Sequence, residues 1–224
     1  MLDQRIISEK FLKIKVIEEL EQHDVIYSAE TGIDGKIYFA PSSEFYPGSS
    51  ARIYCYVPEA DNLREVVNIE KVTGERLGEF RPSHSKIHIS MAVGKDGTLY
   101  AATHLTAPPK GEKYAGIYET YGDPKRGYPG SVLIAYYPER DKTENLGRVT
   151  PYEGTRVMTI DKERNILYMV TMPRSHLIAF DIKERRSRDI GRLSMENTLG
   201  IESDARGFIY STDDEGFIIR YNPE

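Results

Sequence analysis

The chain has 224 residues, a formal net charge of -5, an apolar content of 39%, 16 tyrosines and no tryptophan. Length alone allows one or two domains, and a mean hydropathy of -0.50 suits a soluble globular chain. The acidic balance leaves no basic footprint for a nucleic acid, and no stretch nears the roughly 20 apolar residues that span a bilayer. The single cysteine, Cys55, excludes an intrachain disulfide framework and a cysteine metal cage, and its apolar strand context reads as a buried, inert thiol. Residues 1–10 lack the unbroken apolar core of a signal peptide, so a cytoplasmic location is expected.

In chain order, the first element is Leu12-x-Ile14-x-Val16, whose period-two alternation predicts a strand over 11–20. Glu18-Glu-Leu-Glu21 has helix propensity, so a helix over 9–21 is the alternative. A phrase then recurs four times: Gly35-Lys-Ile-Tyr38, Gly97-Thr-Leu-Tyr100, Asn165-Ile-Leu-Tyr168 and Gly207-Phe-Ile-Tyr210. Each is followed by an apolar run closing in a turn, at 53–58, 133–138, 177–182 and 217–223. The first three units end in Asn68-Ile-Glu-Lys-Val72, Asn145-Leu-Gly-Arg-Val149 and Asp189-Ile-Gly-Arg-Leu193. The fourth lacks this ending, and Val16-Ile-Glu-Glu-Leu20 has the same form.

A repeat of roughly 40–50 residues with four short strands per unit is the signature of a β-propeller. The expected fold is all-β: four blades of four antiparallel strands, closed by the N-terminal strand. A single propeller domain would then cover 1–224, with blades at about 24–72, 86–149, 155–193 and 198–224 plus 11–20. Two chains could instead join in an eight-blade ring with that strand exchanged, so monomer and homodimer both stay open.

Within each unit the first strands are predicted at about 24–29, 87–92, 155–160 and 198–202. The tyrosine strands follow at 36–41, 98–103, 165–171 and 207–211. The turns between these two are tight, and Asp34-Gly35 and Asp96-Gly97 are strong hairpin signals. The links at 41–50, 73–86 and 104–130 are long, and in a propeller they emerge on one rim. Tight turns on one side and elaborated loops on the other present a site.

All five histidines, His23, His84, His88, His104 and His176, fall on the elaborated rim in this register. His88 aligns with Ile26, Arg156 and Thr198, and His104 with Ser42, Met172 and Asp214, so these positions converge on the mouth of the central channel. His88, His104, Arg156 and Arg174 would form one polar cluster. Imidazole exchanges a proton near neutral pH and guanidinium pairs bidentately with a carboxylate, which suits an acidic substrate. The bland readings stand beside this: solvated loop histidines, arginines tying blades together, and Tyr118, Tyr121, Tyr128 and Tyr152 packing the long loop. Converging histidines could also hold a divalent metal. Asp213-Asp214-Glu215 reads as an exposed acidic turn, and no cofactor motif is present.

The segment from Lys86 to His104 resembles a stretch of uncharacterised bacterial and archaeal propellers and of propeller-type polysaccharide lyases such as ulvan lyases. Tyr136-Tyr-Pro-Glu and Tyr221-Asn-Pro-Glu are similar to the Tyr-Asp-Pro turn of many propeller repeats. The lyase resemblance implies His88 and His104 as acid–base groups, with Tyr152 the nearest tyrosine to the third, and Arg174 holding a uronate carboxylate. Arg156, where the lyases carry that tyrosine, would bind substrate with His84, His176 and His23. The expectation is therefore binding, and β-elimination, of an acidic oligosaccharide. The rival is a non-catalytic module gripping a protein partner through loops 41–50 and 104–130.

Overall fold

The computed structural model describes residues 17, 20, 22–75, 77–195 and 198–224. They form four antiparallel meanders. The first contains β1 (Val25–Thr31), β2 (Ile37–Ser42), β3 (Arg52–Val57) and β4 (Asn62–Asn68). The second contains β5 (Met91–Val93), β6 (Leu99–Ala102), β7 (Val132–Tyr137) and β8 (Lys142–Arg148). The third contains β9 (Gly154–Asp161), β10 (Ile166–Met172), β11 (His176–Asp181) and β12 (Arg186–Arg192). The fourth has β13 (Ile201–Ser203), β14 (Ile209–Thr212) and β15 (Ile218–Tyr221). The first strands of successive sheets contact one another, β1 with β5, β5 with β9 and β9 with β13, as the inner strands of a propeller do.

The repeated phrase is explained by the turns and the packing. In the β1–β2 turn, Gly35 takes φ 76° and the Asp34 carboxylate accepts the Lys36 amide at 3.2 Å. In the β5–β6 turn, Gly97 takes φ 83° and Asp96 accepts the Thr98 amide at 3.0 Å. In the first three units the tyrosine three residues past the turn glycine (Asn165 in the third unit) points towards the next sheet. Tyr38 joins the core between the first and second sheets, Tyr100 that between the second and third, and Tyr168 that between the third and fourth.

Because successive strand residues face opposite sides, each middle sheet feeds two cores. On β7, Val132, Ile134 and Tyr136 pack towards the first sheet, while Leu133 and Ala135 pack towards the third. On β10, Leu167 and Met169 face the second sheet, and Tyr168 and Val170 the fourth.

The pairing of the third and outer strands bulges at equivalent places, between Ile53 and Tyr54, Leu133 and Ile134, and Leu177 and Ile178. In the second and third sheets the extra residue precedes Gly147 and Gly191, at φ 100° and 137°. Asn145 and Asp189 each accept the following glycine's amide at 2.9 Å. This accounts for the endings 145–149 and 189–193.

Two boundaries need correction. The ending 68–72 of the first unit is not a strand. Asn68 ends β4 and caps a short helix, α1 (Ile69–Thr73), by accepting the Lys71 amide at 3.1 Å, and Gly74 closes it at φ 68°. The first strand of the second unit starts at Met91, not 87, because residues 86–90 leave the sheet. The closing strand expected over 11–20 lies outside the described residues, apart from Ile17 and Leu20, so the fourth sheet shows three strands among the described residues.

The tight turns share one rim, where Ile33, Asp96 and Pro138 line a common crevice. The opposite rim carries the three long loops, which are knitted by backbone hydrogen bonds. Gly48 donates to the Pro108 carbonyl at 3.1 Å, and Lys110 donates to that of Gly78 at 2.7 Å. A Cβ on Gly78 would lie 2.4 Å from the Gly48 Cα, so only glycine permits this approach.

Ile134 is fully buried between sheets, whereas Ile218 is 78% exposed. Ile134→Ala should cost about 2–5 kcal/mol in urea unfolding, and Ile218→Ala under about 0.5 kcal/mol.

Candidate functional site

The site begins where residues 86–90 leave the second sheet. Lys86 and His104 exchange backbone hydrogen bonds, Lys86 N to His104 O at 3.2 Å and His104 N to Lys86 O at 2.7 Å. Ile89 then bridges to β9 of the next sheet, donating to the Arg156 carbonyl at 3.1 Å and accepting from Met158 at 2.9 Å. From the other side, the Ser28 hydroxyl of β1 donates to the His88 carbonyl and accepts the Ser90 amide at 3.2 Å. Three backbone elements thus fix His88 between β1 and β9.

Side chains converge on this crossing. The His88 ring stacks on Tyr27 at 4.6 Å and 13°, and meets His104 edge-to-face at 5.7 Å. The Lys86 ammonium lies 4.0 Å from the Tyr27 ring centroid and pairs with Glu44. Arg156 is half-buried, and its guanidinium donates to Met172 Sδ at 3.1 Å. Among the described residues Arg156 makes no ion pair, and its Nε, both ring nitrogens of the fully buried His104 and His88 Nδ1 have no hydrogen-bond partner.

Electrostatics follows from that crowding. Burial, then the Lys86 and Arg156 cations, holds His88 down to about 4, against a hydrogen bond to the Arg156 backbone. Burial pushes His104 well below its ordinary value, and His88, Lys86 and Arg156 act the same way. Burial also lowers Lys86 and Arg156. Burial works to raise Glu44, but hydrogen bonds from Lys86, Tyr27 and Thr106 outweigh it, leaving a lowered carboxylate. The seat is therefore two neutral imidazoles beside an arginine that forms no ion pair among the described residues. Two adjacent cations are hostile to a metal ion, and among the described residues no group of three or more His, Cys, Asp and Glu is placed to hold one.

The remaining sequence candidates lie on the same rim but not in this cluster. His84 is buried in a clasp: its Nδ1 meets the Tyr128 hydroxyl at 2.7 Å and the Thr103 hydroxyl at 3.0 Å, with Glu75 at 3.4 Å from Nε2. It ties the loop before β5 to the loop after β6. His23 donates to the Ser50 carbonyl at 3.0 Å. His176 pairs with Asp189 at 2.8 Å across β11 and β12. Arg174 is not free to clamp a ligand carboxylate in the way the lyase resemblance implies. Its Nε donates to the buried Glu153 carboxylate at 2.6 Å, which also accepts from Tyr121 at 3.1 Å and from Thr171. Tyr152 sits by Tyr121, with ring centroids 6.1 Å apart, in this second network and not with the imidazole pair.

Sequence reasoning missed Tyr27, Lys86, Glu44 and Glu153. Lys86 carried a signal: two residues from His88 in an extended segment, it shares that residue's face. Gly154 explains itself only in three dimensions, because a Cβ there would stand 2.1 Å from His104 Nδ1.

Gly154→Ala should therefore overpack this site and cost about 1–3 kcal/mol by urea unfolding. Stability should also depend on His88 ionisation. Its folded value is lowered to about 4, so between there and the ordinary 6.5 the unfolded chain binds more protons. Its contribution is full above about pH 6.5 and is lost as pH falls, by roughly 2 kcal/mol at pH 5. His88→Gln should shrink the stability difference between pH 7 and pH 5 by about that amount.

No protein-family model matches this chain, and no curated protein is similar in sequence. Solved structures do match. The extracellular domain of a "putative one component system" from B. thetaiotaomicron aligns at TM-score 0.53 and 14% identity, covering 89% of this chain and 22% of that one. A "putative gluconolactonase" aligns at TM-score 0.50 and 11% identity, covering 88% of this chain and 60% of that one. The chain thus spans less than two thirds of either structure. At such identities the likeness concerns architecture alone, and the architecture is an all-β propeller of four antiparallel sheets.

Proposed function

We propose that the chain binds a carboxylate-bearing saccharide, of the uronate class, at the mouth formed by Tyr27, His88 and Arg156. The observation that carries this reading is Arg156, a half-buried guanidinium with no carboxylate partner among the described residues, beside two neutral imidazoles. A bidentate ligand carboxylate would satisfy both its charge and its idle donors. Tyr118, 66% exposed on the long loop and within electrostatic reach of Arg156, offers a ring face to a sugar.

The reading is binding without turnover. Elimination needs a base that reaches the substrate. His104 has no exposed surface, Tyr152 lies in the second network, and His88 is only 5% exposed with its Nδ1 buried. Neither fold neighbour says anything about substrate here, since function resides in sites and not in folds.

Calorimetry against oligouronates and their neutral counterparts tests this. Oligouronates should bind, neutral sugars should not, and Arg156→Gln should weaken binding on the order of 10–100-fold. No unsaturated product should accumulate by ultraviolet absorbance. Equal binding of neutral and acidic sugars would remove the basis of the reading.

A second reading, docking of a protein partner, draws on Phe45 and Tyr114, which stand 78% and 64% exposed on loops 41–50 and 104–130. A Phe45→Ser, Tyr114→Ser variant that still binds oligouronate but loses a co-purifying protein would favour it.

A further inference from the structure

The imidazole pair has features that carboxylate binding alone does not use. His88 is buried beside the Arg156 backbone, and its Nδ1 has no hydrogen-bond partner among the described residues. The charged and titratable groups around it come from every neighbouring element. Tyr27 stands on β1, Glu44 follows β2, Lys86 is on its own segment, His104 follows β6 and Arg156 is on β9. Glu44 is engaged by Lys86, Tyr27 and Thr106 and acts on Arg156 only through space, with no ion pair to it among the described residues. Burial, then Lys86, then Arg156 keep the neighbouring imidazole neutral while the seat is empty.

We propose that this seat takes up its anion together with a proton, which passes from solvent to the His88 imidazole as the ligand carboxylate settles on Arg156. The inference rests on the carboxylate-binding reading above and adds its regulation. The ligand's negative charge offsets the Arg156 part of that field, so the imidazolium is better tolerated in the occupied seat than in the empty one. His104, fully buried against Gly154, stays neutral in both states and supports His88 edge-on. Lowered pH thereby strengthens capture of an acidic sugar. The direction is opposite to what titration of the ligand's own carboxyl would produce.

The sign follows from linkage. Where the complex holds more protons than the free protein, affinity falls as pH rises. With His88 at about 4 when free and higher when bound, affinity should fall from pH 5 to pH 7, by at most about 20-fold were the bound imidazole to regain its ordinary 6.5.

The test is calorimetry of trigalacturonate at pH 5, 6 and 7, in buffers of different ionisation enthalpy. The wild type should take up a measurable fraction of a proton per ligand at pH 5.5, at most about one. His88→Gln, folded by circular dichroism, should bind with uptake near zero and a nearly flat pH profile. Labelled-histidine NMR on the wild type gives an independent readout, because the His88 midpoint should rise by more than one pH unit on saturation. Binding with no uptake and no midpoint shift overturns the inference while sparing the carboxylate reading. Uptake that persists in His88→Gln overturns the assignment to His88. Failure of any uronate to bind between pH 5 and 7 overturns both.

Discussion

Every inner sheet of this molecule is apolar on both faces because it is pressed between two others, and the rest of the structure depends on that constraint. A strand such as β7 cannot place a charged residue on either side at mid-length without burying it, so polar chemistry is expelled to the strand ends. There the backbone can depart from regular pairing. Residues 86–90 do so, leaving their own sheet to bridge β9 and the loop after β6. The candidate site is the product of that departure.

The site also shows how a small fold tolerates buried charge. Lys86 is buried with a carboxylate partner, and Glu153 is buried with Arg174, Tyr121 and Thr171 around it. These two networks are internally satisfied and hold strand ends and loops in place. Arg156 differs because among the described residues it has no ion-pair partner, and a guanidinium left so costs more than a paired one unless something external completes it. Two arginines that look interchangeable in sequence thus have opposite characters, one a structural tie and one an open valence.

Much of the fold was legible in the sequence. The tyrosine phrase marked the second strand of each unit because a turn residue, a fixed spacing and a sheet-facing ring all recur together. The ending at 68–72 misled because Asn68 serves equally as a strand end and a helix cap, a choice decided by Gly74 and by the burial of Ile69. Convergence of His88, His104 and Arg156 followed from aligning the units. The fate of Arg174 did not, because Glu153 is brought beside it by a contact between loops that no period in the sequence encodes. Tyr27 and Glu44 were hidden for the same reason, since the first unit carries no histidine at the aligned position to draw attention to them.

The close Gly48–Gly78 approach has a further bearing on how the mouth behaves. Together with the His84–Tyr128–Thr103 clasp, it fastens the three elaborated loops to one another and to the strands below. A molecule binding there, as proposed, would meet a rim already in its final shape. Little ordering entropy would be spent on its capture, and its encounter rate would be governed by diffusion and orientation and not by the folding of a lid.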